Sequence, residues 1–292
     1  MFSQEAHRIS TGKFKLIEPP LTEIDNTFRK SKNGPLISVV TVCFNGMPFI
    51  EECIKSVIKQ DFCNFEYVIV DGASTDGTAE LIEKYDEKLS YWHSKPDRGL
   101  AHAFNLGVEN ANGEWILFLN SDDYFETHSV LSEMAPYLEH FDDRDVVFGK
   151  IIMVSRDMSP TPISREEGGD FRWSKFKFSD TIPHQAAFTS RAYFDRVGVF
   201  NEKYRIAVDY EHYLRGGEFL EAKFVPVLVS KMRDGGMGKE FLEESLKEWS
   251  RAQIETNSLR PLAAKSIFIF RIGKLYVKRV LVFLGWRAAD GV

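Results

Sequence analysis

Apolar residues follow two different periods along the first half of the chain. Continuous runs rich in Val, Ile and Phe predict buried strands over 36–42, 65–70, 89–93, 115–119 and 145–149. Between these runs, apolar residues three and four positions apart predict helices, the first through Ile50, Ile54 and Val57 and the next over 79–85 and 100–110. Strands that alternate with helices predict an α/β fold with a mostly parallel sheet and helices on both faces.

The same pattern divides the chain into three segments. A Gly-Pro pair at 34–35 follows a polar stretch, so residues 1–34 form a predicted N-terminal extension. The main domain is predicted over 35–240 and contains a further helix over 191–197 in its second half. Residues 241–292 form a predicted helical tail.

The tail differs from the rest of the chain in charge. Residues 266–287 combine a wide apolar surface with a cationic stripe formed by Arg271, Lys274 and Lys278. Residues 261–292 hold six basic residues and one acid, although the net charge of the whole chain is −6. An amphipathic helix of this kind favours the surface of an anionic membrane. Packing of its apolar face on the domain or on another subunit is the alternative.

Charge and hydropathy also limit the class of protein. The acidic balance outside the tail excludes a generally basic nucleic-acid-binding protein. The N-terminus has no apolar core of the kind found in signal peptides, and no apolar run approaches the roughly 18 residues of a spanning helix. The sequence therefore predicts a cytoplasmic protein that associates peripherally with the inner face of the cell membrane.

Acidic residues follow two of the predicted strands. Ligands of open α/β sheets bind outside the carboxyl ends of the strands. Asp71 ends the second run, and we expect it to contact a ligand rather than only to shape the turn. Asp122 and Asp123 directly follow the fourth run, and Mg²⁺ or Mn²⁺ would relieve the repulsion between their carboxylates. Capping of the next helix by one of them is the alternative.

Four segments at the ends of these strands resemble a known protein family. They are 41–46 (TVCFNG), 71–78 (DGASTDGT), 96–107 (PDRGLAHAFNLG) and 118–123 (FLNSDD). In order and spacing they are similar to the nucleotide-sugar half of family 2 glycosyltransferases, which have the Rossmann-like GT-A fold. The resemblance runs from about residue 36 to about residue 238, and it divides the domain into a nucleotide-sugar half, 35–150, and an acceptor half, 151–240.

The resemblance implies a metal-dependent, inverting glycosyltransferase of the hexosyltransferase type, with a nucleotide-diphosphate sugar as donor. It implies that Asp71 reads the base, that Asp122 faces the ribose and the metal, and that Asp123 is the main metal ligand. The other residues implied near the nucleotide are Thr41, Phe44, Asn45, Arg98 and Asn105. Gly72 and Asn120 stand where many family members have Asp.

A second acidic site lies in the acceptor half. Inverting transfer needs a base that takes the proton of the acceptor hydroxyl. Asp209 and Glu211 are two positions apart, so on a helix their side chains point about 200° away from each other and only one faces the site. The resemblance aligns Asp209 with the catalytic Asp of the family, although Val208 replaces the Glu that precedes it. Glu211 is then expected in solvent or paired with Arg215.

Two other features of the acceptor half are candidates for substrate contact. His184 either contacts the acceptor or the phosphates, or is a buried core histidine with its hydrogen bonds satisfied. Gly235 and Gly236 belong to the loop 234–238, which follows a predicted strand over 223–229. That loop either binds a diphosphate through its backbone amides or is a flexible turn.

Together these features favour an inverting glycosyltransferase that moves a sugar from a nucleotide-diphosphate sugar to a saccharide acceptor, expected to be a lipid-diphosphate-saccharide, in surface polysaccharide biosynthesis. A sugar nucleotidyltransferase is one alternative, but residues 43–49 contain no Lys or Arg to hold a triphosphate. A catalytically inactive nucleotide-sugar-binding scaffold is the other, and Asn120 and Val208 keep it open.

Overall fold

The computed structural model describes residues 34–155, 162–167 and 169–283, and within them one sheet of nine strands runs through the domain. The predicted extension 1–34 lies outside these ranges except for its last residue, as do residues 284–292 of the predicted tail. The strands are β1 (Ile37–Cys43), β2 (Phe65–Asp71), β3 (Tyr91–Ser94), β4 (Trp115–Phe118), β5 (Tyr124–Phe125), β6 (Val146–Val154), β7 (Pro162–Glu167), β8 (Ala187–Ser190) and β9 (Ala222–Arg233).

Helices cover both faces of the sheet. They are α1 (Ile50–Ile58), α2 (Thr78–Glu83), α3 (Leu100–Asn110), α4 (Val130–His140), α5 (Trp173–Phe176), α6 (Arg191–Val197), α7 (Val208–Leu214), α8 (Met237–Glu240), α9 (Leu242–Glu255) and α10 (Pro261–Phe283). Short 3₁₀ turns lie at Asp86–Lys88, His184–Ala186 and Gly217–Phe219. None of the helices in the described part of the chain is both long and apolar enough to cross a lipid bilayer.

The sheet is mixed rather than mostly parallel. Its order is β3-β2-β1-β4-β8-β6-β9-β5, with β7 beside β6. The strands β1 to β4 are parallel to one another, whereas β8 is antiparallel to both β4 and β6. The α/β fold with flanking helices is confirmed, but the fifth predicted strand is the start of β6 and does not extend the parallel part. Apolar runs indicate that both faces are buried; they do not give the direction of the neighbouring strand.

Two hydrophobic layers hold the sheet between them. In β1, Ile37 and Val39 point into the layer beneath α1 and α4, and Val40 and Val42 point into the layer beneath α3 and α6. Successive side chains of a strand face opposite sides, so both sets are buried at once. This double burial explains why β1 is apolar at most of its positions.

The carboxyl ends of the parallel strands meet at one edge of the sheet. Cys43, at the end of β1, pairs with Asp71, at the end of β2. The segment Asn120–Asp123 follows β4 at the same edge, because β4 is parallel to β1. The chain then enters β5, which is antiparallel to the end of β9 and so brings Arg233 to the acidic pair. The topology thus collects residues from distant parts of the sequence at one place.

Helix α9 packs against α7 and the segment that precedes it. Glu248 accepts backbone N–H bonds from Ile206 and Ala207, both at 2.9 Å. The Trp249 ring lies 4.8 Å from that of Tyr210 on α7. The boundary predicted at residue 240 stays a prediction, and these contacts show that α9 supports α7 directly.

Candidate active site

Asp71 organises the turn that follows β2. Its carboxylate is fully buried and accepts bonds of 2.5 Å from the Ser74 and Ser94 hydroxyls and of 3.0 Å from the Ser74 backbone N–H. These bonds engage both carboxylate oxygens within the protein. The predicted contact of Asp71 with a base stays a prediction, and the structure shows the residue fixing the shape of the loop.

The loop after β1 is joined to the loop after β2. Asn45 adopts a left-handed conformation with φ 53°, its backbone N–H donates to Ser74 Oγ at 2.7 Å, and its side-chain oxygen accepts from Thr75 N at 3.0 Å. Phe44 is two-thirds exposed beside it. Thr41 lies one layer deeper, fully buried, with a 3.0 Å hydrogen bond to the Tyr67 hydroxyl.

These loops form one wall of a cavity of about 560 Å³, here called the strand-end cavity. Its lining includes Phe44, Asn45, Arg98, Asn120, Asp122, Glu202 and Gly236. Arg98 makes two bonds to Glu202, of 2.8 and 2.9 Å. Asn105 lies behind the cavity, where its amide exchanges two hydrogen bonds with the Phe200 backbone. Of the predicted nucleotide neighbours, the structure therefore brings Phe44, Asn45, Arg98 and Asp122 to one cavity.

The two adjacent carboxylates have different environments. Asp122 lines the strand-end cavity, whereas Asp123 is buried and accepts from Arg233 N at 3.0 Å and from Asn120 Nδ2 at 3.3 Å. Burial, together with repulsion from Asp122, raises the pKa of Asp123 to about 8. The carboxylate that reaches the cavity is thus Asp122. The prediction that Asp123 is the main metal ligand stays untested, with this geometry against it.

The donor set near Asp122 suits a cation that shares its ligands with a substrate. Over residues 34–155, 162–167 and 169–283, no three His, Cys, Asp or Glu side chains form a ready-made metal site. Mg²⁺ and similar ions are commonly held by one or two carboxylates together with substrate phosphates and water. One partly exposed carboxylate that lines an open cavity fits this pattern.

Arg233 is a residue of this site that the sequence pattern did not single out. Its side chain is 2% exposed. The guanidinium lies between the rings of Phe49 and Tyr124, at 4.5 and 4.8 Å, and donates to the Asp122 carbonyl and to Glu52. A basic residue at the end of an apolar strand, just before a glycine-rich loop, was the available signal.

A second cavity, of about 880 Å³, is here called the helix-side cavity. Its lining includes Arg172, Lys175, His184, Asp209, Gly235 and Trp249. Leu100, Asn120 and Gly236 line both cavities, so the two are neighbours with a common wall. Asp209 belongs to the first turn of α7 and is one-quarter exposed. This arrangement places the predicted base in a compartment next to the acidic pair.

His184 lies beside Asp209, with its Nδ1 3.8 Å from Asp209 Oδ2. Its ring packs on Phe104 and Phe118, at centroid distances of 5.1 and 5.5 Å. Neither ring nitrogen has a hydrogen-bond partner within the described residues. Burial lowers the pKa of His184, so the ring is held neutral. The alternative of a core histidine with satisfied hydrogen bonds therefore does not describe it.

Glu211 occupies the opposite side of α7. Its carboxylate is 4% exposed and lies 3.3 Å from the Arg215 guanidinium, so the predicted pairing with Arg215 is confirmed and the solvated alternative is wrong. Burial raises the pKa of Glu211. As the helical spacing predicted, Asp209 alone of the two acids lines the cavity.

The glycine-rich loop closes the wall between the cavities. Gly235 and Gly236 have φ values of 122° and 76°, in the region that favours glycine. Gly235 lines the helix-side cavity, and Gly236 lines both. The backbone there can approach a ligand closely, since no side chain intervenes.

The sequence of the chain is similar to known glycosyltransferases. The family model described as Glycosyl transferase family 2 matches residues 38–198. The PGL/p-HBAD biosynthesis glycosyltransferase of Mycobacterium tuberculosis (strain ATCC 25177 / H37Ra) is 30% identical over 221 residues, which cover 72% of this chain and 84% of that protein. An uncharacterized glycosyltransferase of Rickettsia conorii is 43% identical over 106 residues, covering 35% of this chain and 17% of its own length.

Solved structures share the fold at low sequence identity. The mannosyltransferase PcManGT from Pyrobaculum calidifontis, in complex with GDP-Man and Mn²⁺, matches with a TM-score of 0.59 and 19% identity, over 81% of this chain and 70% of that chain. S. aureus TarS 1-349, in complex with UDP, matches with a TM-score of 0.58 and 22% identity, over 80% of this chain and 69% of that chain. The GT-A type of α/β fold is therefore confirmed.

Proposed function

Because this chain belongs to glycosyl transferase family 2, we propose that it transfers a sugar, with inversion, from a nucleotide-diphosphate sugar to a saccharide acceptor. The observation that carries this proposal is the pair of neighbouring cavities, with Asp122 in one and Asp209 in the other. Donor binding and proton removal then belong to separate compartments that meet at Asn120 and Gly236.

The strand-end cavity is the proposed donor site. Two fold neighbours carry UDP and GDP-Man, which supports a nucleotide donor for this chain. Phe44 offers an exposed ring, Arg98 offers a guanidinium, and Asp122 offers a carboxylate. A bound Mg²⁺ or Mn²⁺ would be held by Asp122 and the donor phosphates, and it would make the nucleoside diphosphate a better leaving group.

The helix-side cavity is the proposed acceptor site. The acceptor oxygen attacks the anomeric carbon from the side opposite the diphosphate, its proton passes to Asp209, and the bond to the diphosphate oxygen breaks. The unpartnered nitrogens of His184 lie beside Asp209 and are suited to hold the same hydroxyl. One carboxylate is enough to take this proton. Glu211 is paired with Arg215 and is not needed as a second base.

The acceptor is proposed to be lipid-linked, in polysaccharide or glycolipid biosynthesis, at the cytoplasmic face of a membrane. The mycobacterial relatives are named for PGL/p-HBAD biosynthesis. Exposed apolar side chains cover much of α10, among them Leu262, Ile269, Phe270, Val277 and Phe283. The helix has five basic residues and no acid. Apolar surface with positive charge matches an anionic bilayer and disfavours pairing of two such helices.

A vesicle-binding assay tests the membrane part of the proposal. The variant Ile269→Ser/Phe270→Ser is expected to leave anionic vesicles that retain the wild-type chain, because it removes apolar area from the exposed face of α10. Phe219→Ser is the matched control, because Phe219 is 76% exposed and lies outside that helix. Equal vesicle binding by both variants would contradict the membrane role.

The transfer itself is tested by screening nucleotide sugars with Mn²⁺ for release of a nucleoside diphosphate, with and without lipid-diphosphate sugars. Acceptor-dependent release by the wild-type chain, together with its loss in Asp209→Asn, is the expected result. Release of pyrophosphate from a nucleoside triphosphate and a sugar phosphate would instead support the nucleotidyltransferase. Tight donor binding without any turnover would support the scaffold.

A further inference from the structure

We propose that Arg233 is a positioning residue that fixes the Asp122–Asp123 segment for donor binding. The inference rests on the proposed role of Asp122. Arg233 ends β9, more than 100 positions along the chain from the acidic pair, and it contacts both residues of the pair. It has no direct access to the cavity, so its action passes through Asp122.

Four contacts hold the Arg233 guanidinium in one orientation. Nη1 donates to the Asp122 carbonyl oxygen, and Nη2 donates to Glu52 Oε2 at 2.5 Å. The planar group also lies between the rings of Phe49 and Tyr124. A planar guanidinium can satisfy two acceptors and two aromatic faces at once, which a lysine ammonium cannot.

The backbone of Arg233 holds the second acid. Its N–H donates to Asp123 Oδ1 at 3.0 Å, while its side chain holds the carbonyl of Asp122. Arg233 therefore bonds to two consecutive residues of the acidic loop, one through its backbone and one through its side chain. Both bonds leave the Asp122 side chain facing the strand-end cavity.

The charge of Arg233 also balances the acids around it. Glu52, Asp122 and Asp123 all lie close to this buried cation. Loss of the guanidinium would remove the Arg233–Glu52 ion pair beside the Asp122–Asp123 segment.

The glycine-rich loop begins directly after Arg233. Asp234 donates its N–H to the Val154 carbonyl at 2.8 Å, and Gly235 and Gly236 follow directly. The loop that separates the cavities thus begins at the residue that holds the acidic pair.

The test is Arg233→Lys, measured by binding of UDP and of GDP to the full chain by calorimetry, in Mn²⁺ and in EDTA. We expect affinity in Mn²⁺ for the nucleotide that the wild type binds to fall about 10- to 100-fold, as for other residues that orient ligands of a metal. The loss should shrink in EDTA, because Asp122 is proposed to act on the metal. A merely structural role would weaken binding equally in both buffers.

Arg196→Lys is the matched control, because Arg196 bonds buried Asp145 at 2.7 Å outside both cavities. Its nucleotide affinity should equal that of the wild type. Glu52→Gln and Tyr124→Leu remove single supports of the guanidinium and should each weaken Mn²⁺-dependent binding by less than about tenfold. These two variants decide the question if Arg233→Lys fails to fold.

The outcomes separate this inference from the proposed function. If Asp122→Ala loses nucleotide affinity while folded Arg233→Lys, Glu52→Gln and Tyr124→Leu bind as the wild type does, the Arg233 inference is wrong and the donor site stands. If Asp122→Ala binds as the wild type does, or the wild type binds neither UDP nor GDP, the proposed donor site itself is wrong.

Discussion

The strand-end cavity and the helix-side cavity are built in different ways. The first lies at the carboxyl ends of parallel strands, where backbone turns are tied to one another by hydrogen bonds such as those of Asn45 and Ser74. The second is lined by β6, β9, α7 and α9, and it holds Asp209 together with His184, whose ring nitrogens have no hydrogen-bond partner within the described residues. Under the proposed function, the cavity with more internal hydrogen bonds would hold the nucleotide of the donor. The cavity with fewer would hold the acceptor.

The variant Asp209→Asn is the strongest test of the difference between the two cavities. If the helix-side cavity supplies the base, turnover should fall about 10²- to 10⁴-fold, because amide nitrogen and oxygen cannot take the hydroxyl proton. Donor affinity should be unchanged, since Asp209 does not line the strand-end cavity. Steady-state rates and calorimetry measure the two quantities.

The matched control for Asp209→Asn is Asp180→Asn, which neutralises another carboxylate of the same cavity. Its turnover should stay within a few-fold of the wild-type value. Equal loss in both variants would assign the effect to the charge of the cavity rather than to a base, and normal turnover of Asp209→Asn would remove Asp209 from the mechanism.

A smaller effect separates the two adjacent acids. Asp122→Asn should weaken Mn²⁺-dependent nucleotide binding about 10- to 100-fold, the range for a lost bond to a charged group. Asp123→Asn should change it less, because Asp123 is buried and bonded to Arg233 N and to Asn120 rather than lining the strand-end cavity. The reverse order would restore Asp123 as the main ligand, as the family resemblance implies.

The smallest effect is expected at His184. His184→Gln should raise the acceptor KM about five- to tenfold, near the value of one neutral hydrogen bond, with donor KM unchanged.

His184→Gln should also make the free energy of unfolding less dependent on pH. Burial depresses the pKa of folded His184, so the unfolded chain binds more protons and the free energy of unfolding falls as pH drops below about 6.5.

Thermal unfolding between pH 7 and pH 5 measures that change. The buried His212, whose pKa burial lowers to about 3, remains in the variant and keeps part of the slope. A variant with the same pH dependence as the wild type would show that His184 is not held neutral in the folded chain.

The sequence predicted the parallel part of the fold better than the rest. Runs such as β1 and β4 are mostly apolar on both faces, and polar residues and glycines follow their ends. The helical period correctly separated Asp209 from Glu211. These features depend on residues that are close in sequence, so a local pattern is enough to find them.

Long-range features could not be found in this way. The contact between Arg233 and Asp123 joins residues 110 positions apart, and the direction of β8 depends on its neighbours rather than on its own composition. The internal bonds of Asp71 also depend on Ser94, which belongs to another strand. A local pattern shows that such a residue is polar, but the fold decides which partner receives the bond.

The shared wall at Gly236 has a thermodynamic consequence. Because one backbone segment lines both cavities, a ligand that shifts it in one cavity changes the free energy of binding in the other. Such linkage is reciprocal: a donor that tightens acceptor binding by some factor is itself tightened by that factor when the acceptor is present. The order in which the substrates bind and the protection of the donor from water would then both depend on the position of the backbone at Gly236.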